Sequence, residues 1–556
     1  MKVLICALNT KYIHSSLAPW YLKAGIEKYS RDSVCEVYES TINEKQETVI
    51  ENIISKQADM IGFSAYIWNI TELLSISERI KEKYPNVKIL FGGPEVSYNA
   101  KEILENNPSI DFIISGEGEE PIAKLCDGEL LSKIEGLCYR EENKIIEKPP
   151  YISKNDPPCP YSDDYFKNLE GRISYIETSR GCPYRCAFCL SGRCGGVRFF
   201  DLEEAKKNIL LLANSGTKTV KFIDRTFNAD RKRAKNIFSF IIDNYGENIP
   251  GSVCFHFEIE GEIIDDETVE LLSKAPLGAI QIEIGLQSFN EKTLEYINRR
   301  TDIPKLTENI KKLIAIGNIH VHIDLIAGLP FEDLKSFQNS FNMALSLKPH
   351  MLQFGFLKLL HGADMREDED RYPCEYSKTP PYEVLSTPHL TNDDLKLMHS
   401  VEDVFDKMYN SGRFVRTAEY IAKSSENPFK TYTGFAEFLK NKEKNNTLDA
   451  FTLLMYEYFS ELDFINADLL RDNMALDRLS SNRMGMLPDF LKHRSSEIKK
   501  ALNALEKNES TKRKQCVKRA ATFLKTEKIF VYVDYENKNP VTSQYQIKYL
   551  KENNIC

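Results

Sequence analysis

The sequence predicts an α/β chain in three parts: a doubly wound N-terminal domain, a partial (β/α)6 barrel and a mostly helical C-terminal domain. Three observations carry this. Short apolar runs alternate with amphipathic stretches of helical period from the start to about Leu360. A proline-rich interval with Pro149, Pro150, Pro157, Pro158 and Pro160 breaks the alternation once. After a second interval, rich in proline and charge from Glu367 to Pro388, the pattern turns helical. With 556 residues, and roughly 100–200 residues per domain, the expected bounds are a domain over 1–147, a linker over 148–171, the barrel over 172–365 and the helical part over 366–556.

Each element follows from its own residues. Lys2 to Leu8 reads as a buried strand, Leu17 to Tyr29 as a helix, Met60 to Ser64 as a strand, Ile70 to Tyr84 as a helix, and Lys88 to Phe91 and Phe112 to Ser115 as strands. The turns Gly62-Phe63-Ser64, Gly92-Gly93-Pro94 and Gly116-Glu117-Gly118-Glu119 fall at or just beyond strand C-terminal ends, where open α/β sheets bind ligands. The glycines serve equally as tight turns. In the second part strands are expected at Ser174 to Thr178, Thr219 to Ile223, Ser252 to Ile259, Ala279 to Ile284, His320 to Ile326 and Met351 to Leu357. Helices are expected at Leu202 to Ala213, Arg231 to Tyr245, Glu267 to Ser273, Glu291 to Ile297, Lys305 to Ile316 and Leu334 to Leu347. The third part reads as helical to about Thr526, followed by one strand, Lys528 to Tyr532.

Composition narrows the function. Lys and Arg number 73 against 82 Asp and Glu, a net charge of −9, which argues against a chain that coats a nucleic acid polymer or an anionic membrane. No apolar run reaches the ~18 residues of a membrane span, and the N-terminal apolar run is too short for a secretory signal. Thirteen cysteines, an odd number over a long chain, are unlike a secreted disulfide scaffold, so a reducing cytoplasm is expected. The basic run Lys512 to Arg519 reads as a solvated helix face rather than a phosphate contact.

The chemistry is concentrated between the first strand and the first helix of the second part, in Thr178-Ser179-Arg180-Gly181-Cys182-Pro183-Tyr184-Arg185-Cys186-Ala187-Phe188-Cys189. Three thiolates at this spacing can each bind a different iron of a 4Fe-4S cluster and leave the fourth iron open to a substrate or cofactor. A zinc site closed by Cys194 is the alternative reading. Phe188 is suited to pack beside a flat ring.

This loop resembles that of the radical S-adenosylmethionine (SAM) superfamily, whose C-x-x-x-C-x-aromatic-C pattern is matched by Cys182, Cys186, Phe188 and Cys189; the resemblance covers roughly residues 172 to 362. It implies a 4Fe-4S cluster on Cys182, Cys186 and Cys189, SAM on the open iron, a 5'-deoxyadenosyl radical that abstracts hydrogen, and an electron donor such as flavodoxin or ferredoxin. The runs Phe257-Glu258-Ile259-Glu260, Gly285 to Asn290, Asn298-Arg299 and Ile323 to Pro330 resemble the SAM-contacting strands of the oxygen-independent coproporphyrinogen oxidase branch. That implies Glu258, Gln287, Arg299 and Asp324 as ligands for the methionyl and ribose parts of SAM. Asp224, which stands where the superfamily has a Gly-Gly-Glu segment, is the expected partner of the SAM ammonium. No catalytic residue is assigned.

The N-terminal part resembles the Rossmann-like cobalamin-binding domain that precedes many such barrels. Its Asp-x-His-x-x-Gly cobalt-ligating loop is absent, the stretch here running Leu8 to His14, and the resemblance leaves cobalamin open. His14 is expected to be solvated or hydrogen-bonded rather than a ligand, and Tyr66 and Trp68 would either flank a corrin or fill its space. The three-part layout resembles the queuine lyase family of queuosine salvage. It implies a small nucleotide substrate, queuosine 5'-phosphate, whose base–ribose bond breaks to release queuine. Asp324, Glu283 or Glu260 would face the base, and Arg180, Arg225 or Lys358 the phosphate. A cobalamin-dependent radical SAM methyltransferase is the alternative.

Overall fold

The computed structural model describes residues 1–142, 144–442, 447–481, 487–494, 496–500, 502 and 520–550. It divides into two compact units: Met1–Lys274, Glu295–Thr301 and Phe356–Pro388 form the first, and Ala275–Leu294, Asp302–Gly355 and His389–Cys556 the second.

The first unit opens with β1 (Lys2–Asn9), α1 (Ala18–Tyr29), β2 (Val34–Thr41), α2 (Gln46–Ser55), β3 (Met60–Ser64), α3 (Ile70–Lys83), β4 (Lys88–Gly92), α4 (Ala100–Asn106), β5 (Phe112–Ile114), α5 (Glu119–Cys126), β6 (Leu137–Glu141) and β7 (Lys144–Ile146). The sheet order is β2-β1-β3-β4-β5-β6-β7, with β1 to β5 parallel and β6 and β7 antiparallel. β1 is apolar from Val3 to Leu8 because both its faces are covered. Leu4, Cys6 and Leu8 pack with Ile53, Leu73 and Ile76 on one side, and Val3 and Ile5 with Ile26, Ile122 and Leu137 on the other. Strand order reverses beside β1, so the C-terminal ends of β1 and β3 flank the crevice in which such sheets hold ligands. Gly93 keeps this edge open to backbone contact: its φ is +117°, and a Cβ there would lie 2.4 Å from the Ala65 carbonyl oxygen.

The elements β2, α2, α4, α5, β6 and β7 are additions to the sequence reading. β2 escapes a search for apolar runs because it is an edge strand, with Val34 exposed and most of its other residues half-buried. The proline-rich interval is also more than a tether, since Tyr151 pairs with Gly116 as an added bridge, its N–H donating to the Ser115 carbonyl at 2.9 Å.

The same unit continues with α6 (Asp163–Leu169), β8 (Ser174–Ile176), β9 (Ser179–Arg180), β10 (Arg198–Phe199), α7 (Leu202–Ala213), β11 (Thr219–Phe222), α8 (Arg231–Asn244), β12 (Cys254–Ile259) and α9 (Asp266–Ser273). Strands β8, β11 and β12 are parallel, with Tyr175, Lys221 and His256 in one register row. In the second unit lie β13 (Ile280–Gln287), α11 (Ile303–Ile316), β14 (His320–Ala327), α12 (Leu334–Ser346) and β15 (Met351–Phe356), following the short α10 (Glu291–Tyr296) that straddles the division. The expected strands and helices of the second part are therefore present. Their starts have a shared cause: Asp201, Asp230, Asp265, Asp302 and Asp333 each accept a hydrogen bond from a backbone N–H in the first turn of α7, α8, α9, α11 and α12.

The C-terminal part is mainly helical, with helices Asn392–Phe405, Val415–Ser424, Pro428–Lys440, Leu448–Phe459 and Ala467–Ser481. Phe341 of α12 and Phe405, Phe429 and Tyr432 of these helices form one aromatic cluster. The end of the chain corrects the expectation of a single strand after a mostly helical stretch. Ala520–Leu524, Ile529–Lys538 and Tyr545–Leu550 form an antiparallel three-stranded sheet. Ala-Ala-Thr-Phe-Leu reads as helix by propensity, and its pairing with the following strand overrides that preference. The basic run 512–519 lies outside the described residues. No described helix is long and apolar enough to cross a membrane.

One buried acid in the second unit gives a stability prediction. Glu332 is wholly buried and accepts hydrogen bonds from the hydroxyls of Ser288 (2.6 Å) and Ser340 (3.0 Å). Burial pushes its carboxyl up to about 7, with the neighbouring Asp333 adding to the rise. An acid held above its unfolded value binds more protons when folded, so stability falls as pH rises from about 4.5 to about 7. Glu332→Gln is expected to remove that slope and to recover about 3 kcal/mol at pH 8, as read by denaturant melts at pH 5 and 8.

Candidate functional site

The cysteine loop leaves β8 and runs through β9 into the segment before β10. Gly181, with φ +92°, turns the chain out of β9. Cys186 is 8% exposed, and the next residue is fixed through both its backbone polar groups: the Ala187 N–H donates to the Ile297 carbonyl at 2.9 Å, and the Met365 N–H donates to the carbonyl of Ala187 at 3.0 Å. Every sulfur has a polar partner. An Arg299 guanidinium nitrogen lies 3.7 Å from Cys186 Sγ, the Thr226 hydroxyl 3.3 Å from Cys182 Sγ, and the Ser191 N–H 3.5 Å from Cys189 Sγ. Such donors suit thiolates that ligate a cluster. Burial raises the Cys186 thiol while Arg299 opposes that rise. The Cys194 side chain lies outside the described set.

Asp224, at the end of β11, is 1% exposed. Oδ1 accepts from the hydroxyls of Thr178 (2.7 Å) and Ser179 (2.5 Å), and Oδ2 from the Thr178 N–H (3.0 Å). These bonds make it a pin that fixes the start of the cysteine loop, and both its carboxylate oxygens are engaged at the position the sequence assigns to the SAM ammonium. Arg299 bonds the Glu260 carboxylate at 2.9 Å, so Glu260 is a buried partner of Arg299 and does not face a base. Glu258, on β12, faces Lys221 at 3.4 Å and Arg225 at 4.0 Å. Phe188 is half-buried in the loop. These residues share the first unit. Gln287 and Asp324 lie in the second, near the C-terminal ends of β13 and β14. Gln287 adopts φ +71° at a register shift in the pairing, a strained conformation of the kind found at ligand sites.

Arg180, two residues before Cys182, is the hub of a network invisible in the sequence. Its NH1 and NH2 bond Glu117 (2.7 Å) and Glu119 (2.6 Å) of the β5–α5 turn, and its Nε bonds Glu177 (3.0 Å). Arg198 adds a second cation on Glu117 at 2.7 Å, and the Tyr21 ring lies under the Arg180 guanidinium at 5.1 Å. With three carboxylates around it, Arg180 has no role at a phosphate. Burial pushes the Glu177 carboxyl up to about 7 against the pull of Arg180.

At the sheet crevice, Tyr66 and Trp68 stack on each other with centroids 4.4 Å apart and planes 7° from parallel. The Trp68 and Asn69 side chains both donate to the Leu8 carbonyl, which fixes the loop after β3 to the end of β1. Trp68 is still 40% exposed, so the pair offers an aromatic plate beside Ala65 and Gly93 rather than filling the edge. That arrangement fits a flat macrocycle. His14 has another partner, the Tyr175 hydroxyl at 2.7 Å.

Comparison with known proteins gives three matches in succession. A B12-binding domain model matches residues 3–126, a radical SAM superfamily model residues 176–344, and that of a protein family of unknown function, DUF4080, residues 370–554. The chain carries a radical SAM domain behind a B12-binding domain. A radical SAM domain implies a 4Fe-4S cluster and SAM, and the B12-binding match supports cobalamin, which the sequence left open.

The 2-(S-pantetheinyl)-carbapenam-3-carboxylate methyltransferase of Streptantibioticus cattleyicolor is 25% identical over 336 residues, 54% of this chain and 47% of that protein. The cobalamin-dependent radical SAM methyltransferase TokK of Streptomyces tokunonensis is 26% identical over 321 residues, 53% of this chain and 46% of its own length. The chain thus spans about half the length of these curated relatives. The solved structure of the cobalamin-dependent SAM radical enzyme OxsB, with aqua-cobalamin and SAM bound, shares the fold with a TM-score of 0.61 at 15% identity, over 85% of this chain and 78% of that one.

These findings overturn the queuine-releasing lyase expected from the three-part layout, because the similar proteins are a methyltransferase, a cobalamin-dependent radical SAM methyltransferase and a cobalamin-dependent SAM radical enzyme. The layout misled because its C-terminal third belongs to a family without assigned function. With the lyase reading go the nucleotide substrate, the base-facing roles of Asp324, Glu283 and Glu260, and the phosphate roles of Arg180, Arg225 and Lys358. A small-molecule substrate and an electron donor, typical of radical SAM enzymes, remain.

Proposed function

We propose that this chain is a cobalamin-dependent radical SAM methyltransferase acting on a small molecule. The observation that carries the reading is the B12-binding match directly ahead of the radical SAM match in one chain. The Arg180 network, which ties the β5–α5 turn to the cysteine loop, supports it. When bound, the cofactors supply a methyl donor, a single-electron source and a methyl carrier.

The chain's own residues do the positioning. Cys182, Cys186 and Cys189 hold the cluster, and Arg299 neutralises the buried sulfur of Cys186. Glu258 is the proposed polar contact of SAM beside the cysteine loop, while Asp224 sets the loop through Thr178 and Ser179. Trp68, held by Tyr66 and Leu8, flanks the corrin. Trp68→Ala is expected to weaken cobalamin retention about tenfold, the worth of one aromatic stacking contact, measured by visible absorbance after equilibrium dialysis.

The test of the whole reading needs no identified acceptor. Protein made anaerobically in cobalamin-replete cells should retain about one cobalamin per chain and form S-adenosylhomocysteine from SAM with a low-potential reductant. Absence of cobalamin, or 5'-deoxyadenosine as the sole SAM product, would refute it.

A further inference from the structure

Three side chains of the second unit converge on one face of its parallel strands. Glu283 of β13 stands directly opposite His322 of β14, and Asp324 lies two residues further along β14, on the same face. One donor atom from each lies within 4.8 Å of the others. His322 Nε2 is 2.9 Å from Asp324 Oδ1, and His322 Nδ1 is 3.9 Å from Glu283 Oε2. We propose that Glu283, His322 and Asp324 form a binding site for a hard divalent cation.

The spacing is the first argument. Adjacent ligands of an octahedral ion bound at ~2.1 Å are separated by about 3 Å, and His322 and Asp324 meet that separation as they stand. The frame is the second. All three residues sit on paired strands rather than on loops, so their Cα positions are fixed by the sheet register. The environment is the third: side-chain exposures of 21% for Glu283, 7% for His322 and 24% for Asp324 describe a site reachable by an ion and shielded from bulk water on most sides.

The donor set selects the ion. One imidazole and two carboxylates without a thiolate suit a first-row divalent ion such as Mn2+ or Fe2+ rather than a thiophilic metal. Three protein donors leave further positions for water or for an oxygen-bearing substrate, such as a carboxylate, which the ion would hold against this face. The assignment moves Asp324 from SAM to the cation. It is independent of the methyltransferase reading.

The experiment is a titration of the full chain, carrying its cluster and cobalamin, with Mn2+ alone, followed by the electron paramagnetic resonance signal of the free ion. The wild type should remove about one equivalent from solution. His322→Gln and Glu283→Gln should each weaken binding at least tenfold with the visible absorbance of cluster and cobalamin unchanged, and Cys182→Ala should bind Mn2+ as the wild type does. Failure of the wild type to take up an equivalent of Mn2+, or unweakened binding in both variants, overturns the proposal. An Asp324→Asn variant that loses SAM binding while retaining Mn2+ overturns it as well and returns Asp324 to SAM.

Discussion

Cys186→Ala is expected to abolish SAM cleavage and to lower bound iron and the visible absorbance of the cluster to background. Cys186 is the most enclosed of the three loop thiols, with the Arg299 guanidinium beside its sulfur and the backbone of Ala187 fixed on both sides. Alanine removes an iron ligand and leaves that buried guanidinium facing a methyl group, so no neighbouring water or side chain can restore the coordination cheaply. The control is Cys159→Ala, since Cys159 is exposed and lies outside the loop. Iron content and SAM consumption should match the wild type in that variant and fall together in Cys186→Ala. Full iron loading of Cys186→Ala would exclude this residue as a ligand.

Arg180→Ala carries the second large effect. It removes the cation shared by Glu117, Glu119 and Glu177 and leaves three largely buried carboxylates near one another. Breaking a buried ion pair from one side costs about 3–5 kcal/mol, and Arg180→Lys should recover only part of it because an ammonium cannot match three separated carboxylates. The effect is signed in pH. Glu177 already titrates at about 7 because burial outweighs the pull of Arg180, and loss of that pull raises it further. A raised carboxyl stabilises the fold only while protonated, so the deficit of Arg180→Ala should be smaller at pH 6 than at pH 8. Denaturant melts at the two values measure it, and equal deficits would mean that Glu177 does not share the charge of Arg180.

Much of the fold was legible in the sequence because its strands and helices are long, periodic and locally punctuated. The strands of the second α/β part are apolar runs bounded by turns, and their helices begin at aspartates that cap the first turn. What escaped were elements with weak local signals: the half-exposed edge strand Val34–Thr41, and Ala520–Leu524, whose strand state comes from its partner rather than its own residues. The site divides in the same way. The cysteine loop is written in contiguous residues, so spacing alone exposes it. Asp224 was visible as a polar strand end, yet its role as a pin depends on hydroxyls 45 and 46 residues earlier. The contacts of Arg180 with Glu117 and Glu119 span 63 and 61 residues, and no local pattern announces them. The cluster of Glu283, His322 and Asp324 depends on the register between two strands.

The Arg180 hub also has a thermodynamic meaning. The same guanidinium holds the turn at the ligand end of the N-terminal sheet and the backbone two residues before the first cluster cysteine. Order that a ligand imposed on one end through this guanidinium would reach the other, and linkage would require the effect to be mutual. If corrin occupancy tightens assembly of the cluster by some factor, the assembled cluster must tighten corrin binding by that same factor. Cluster and corrin would then be loaded cooperatively, and Arg180→Ala would weaken that cooperativity.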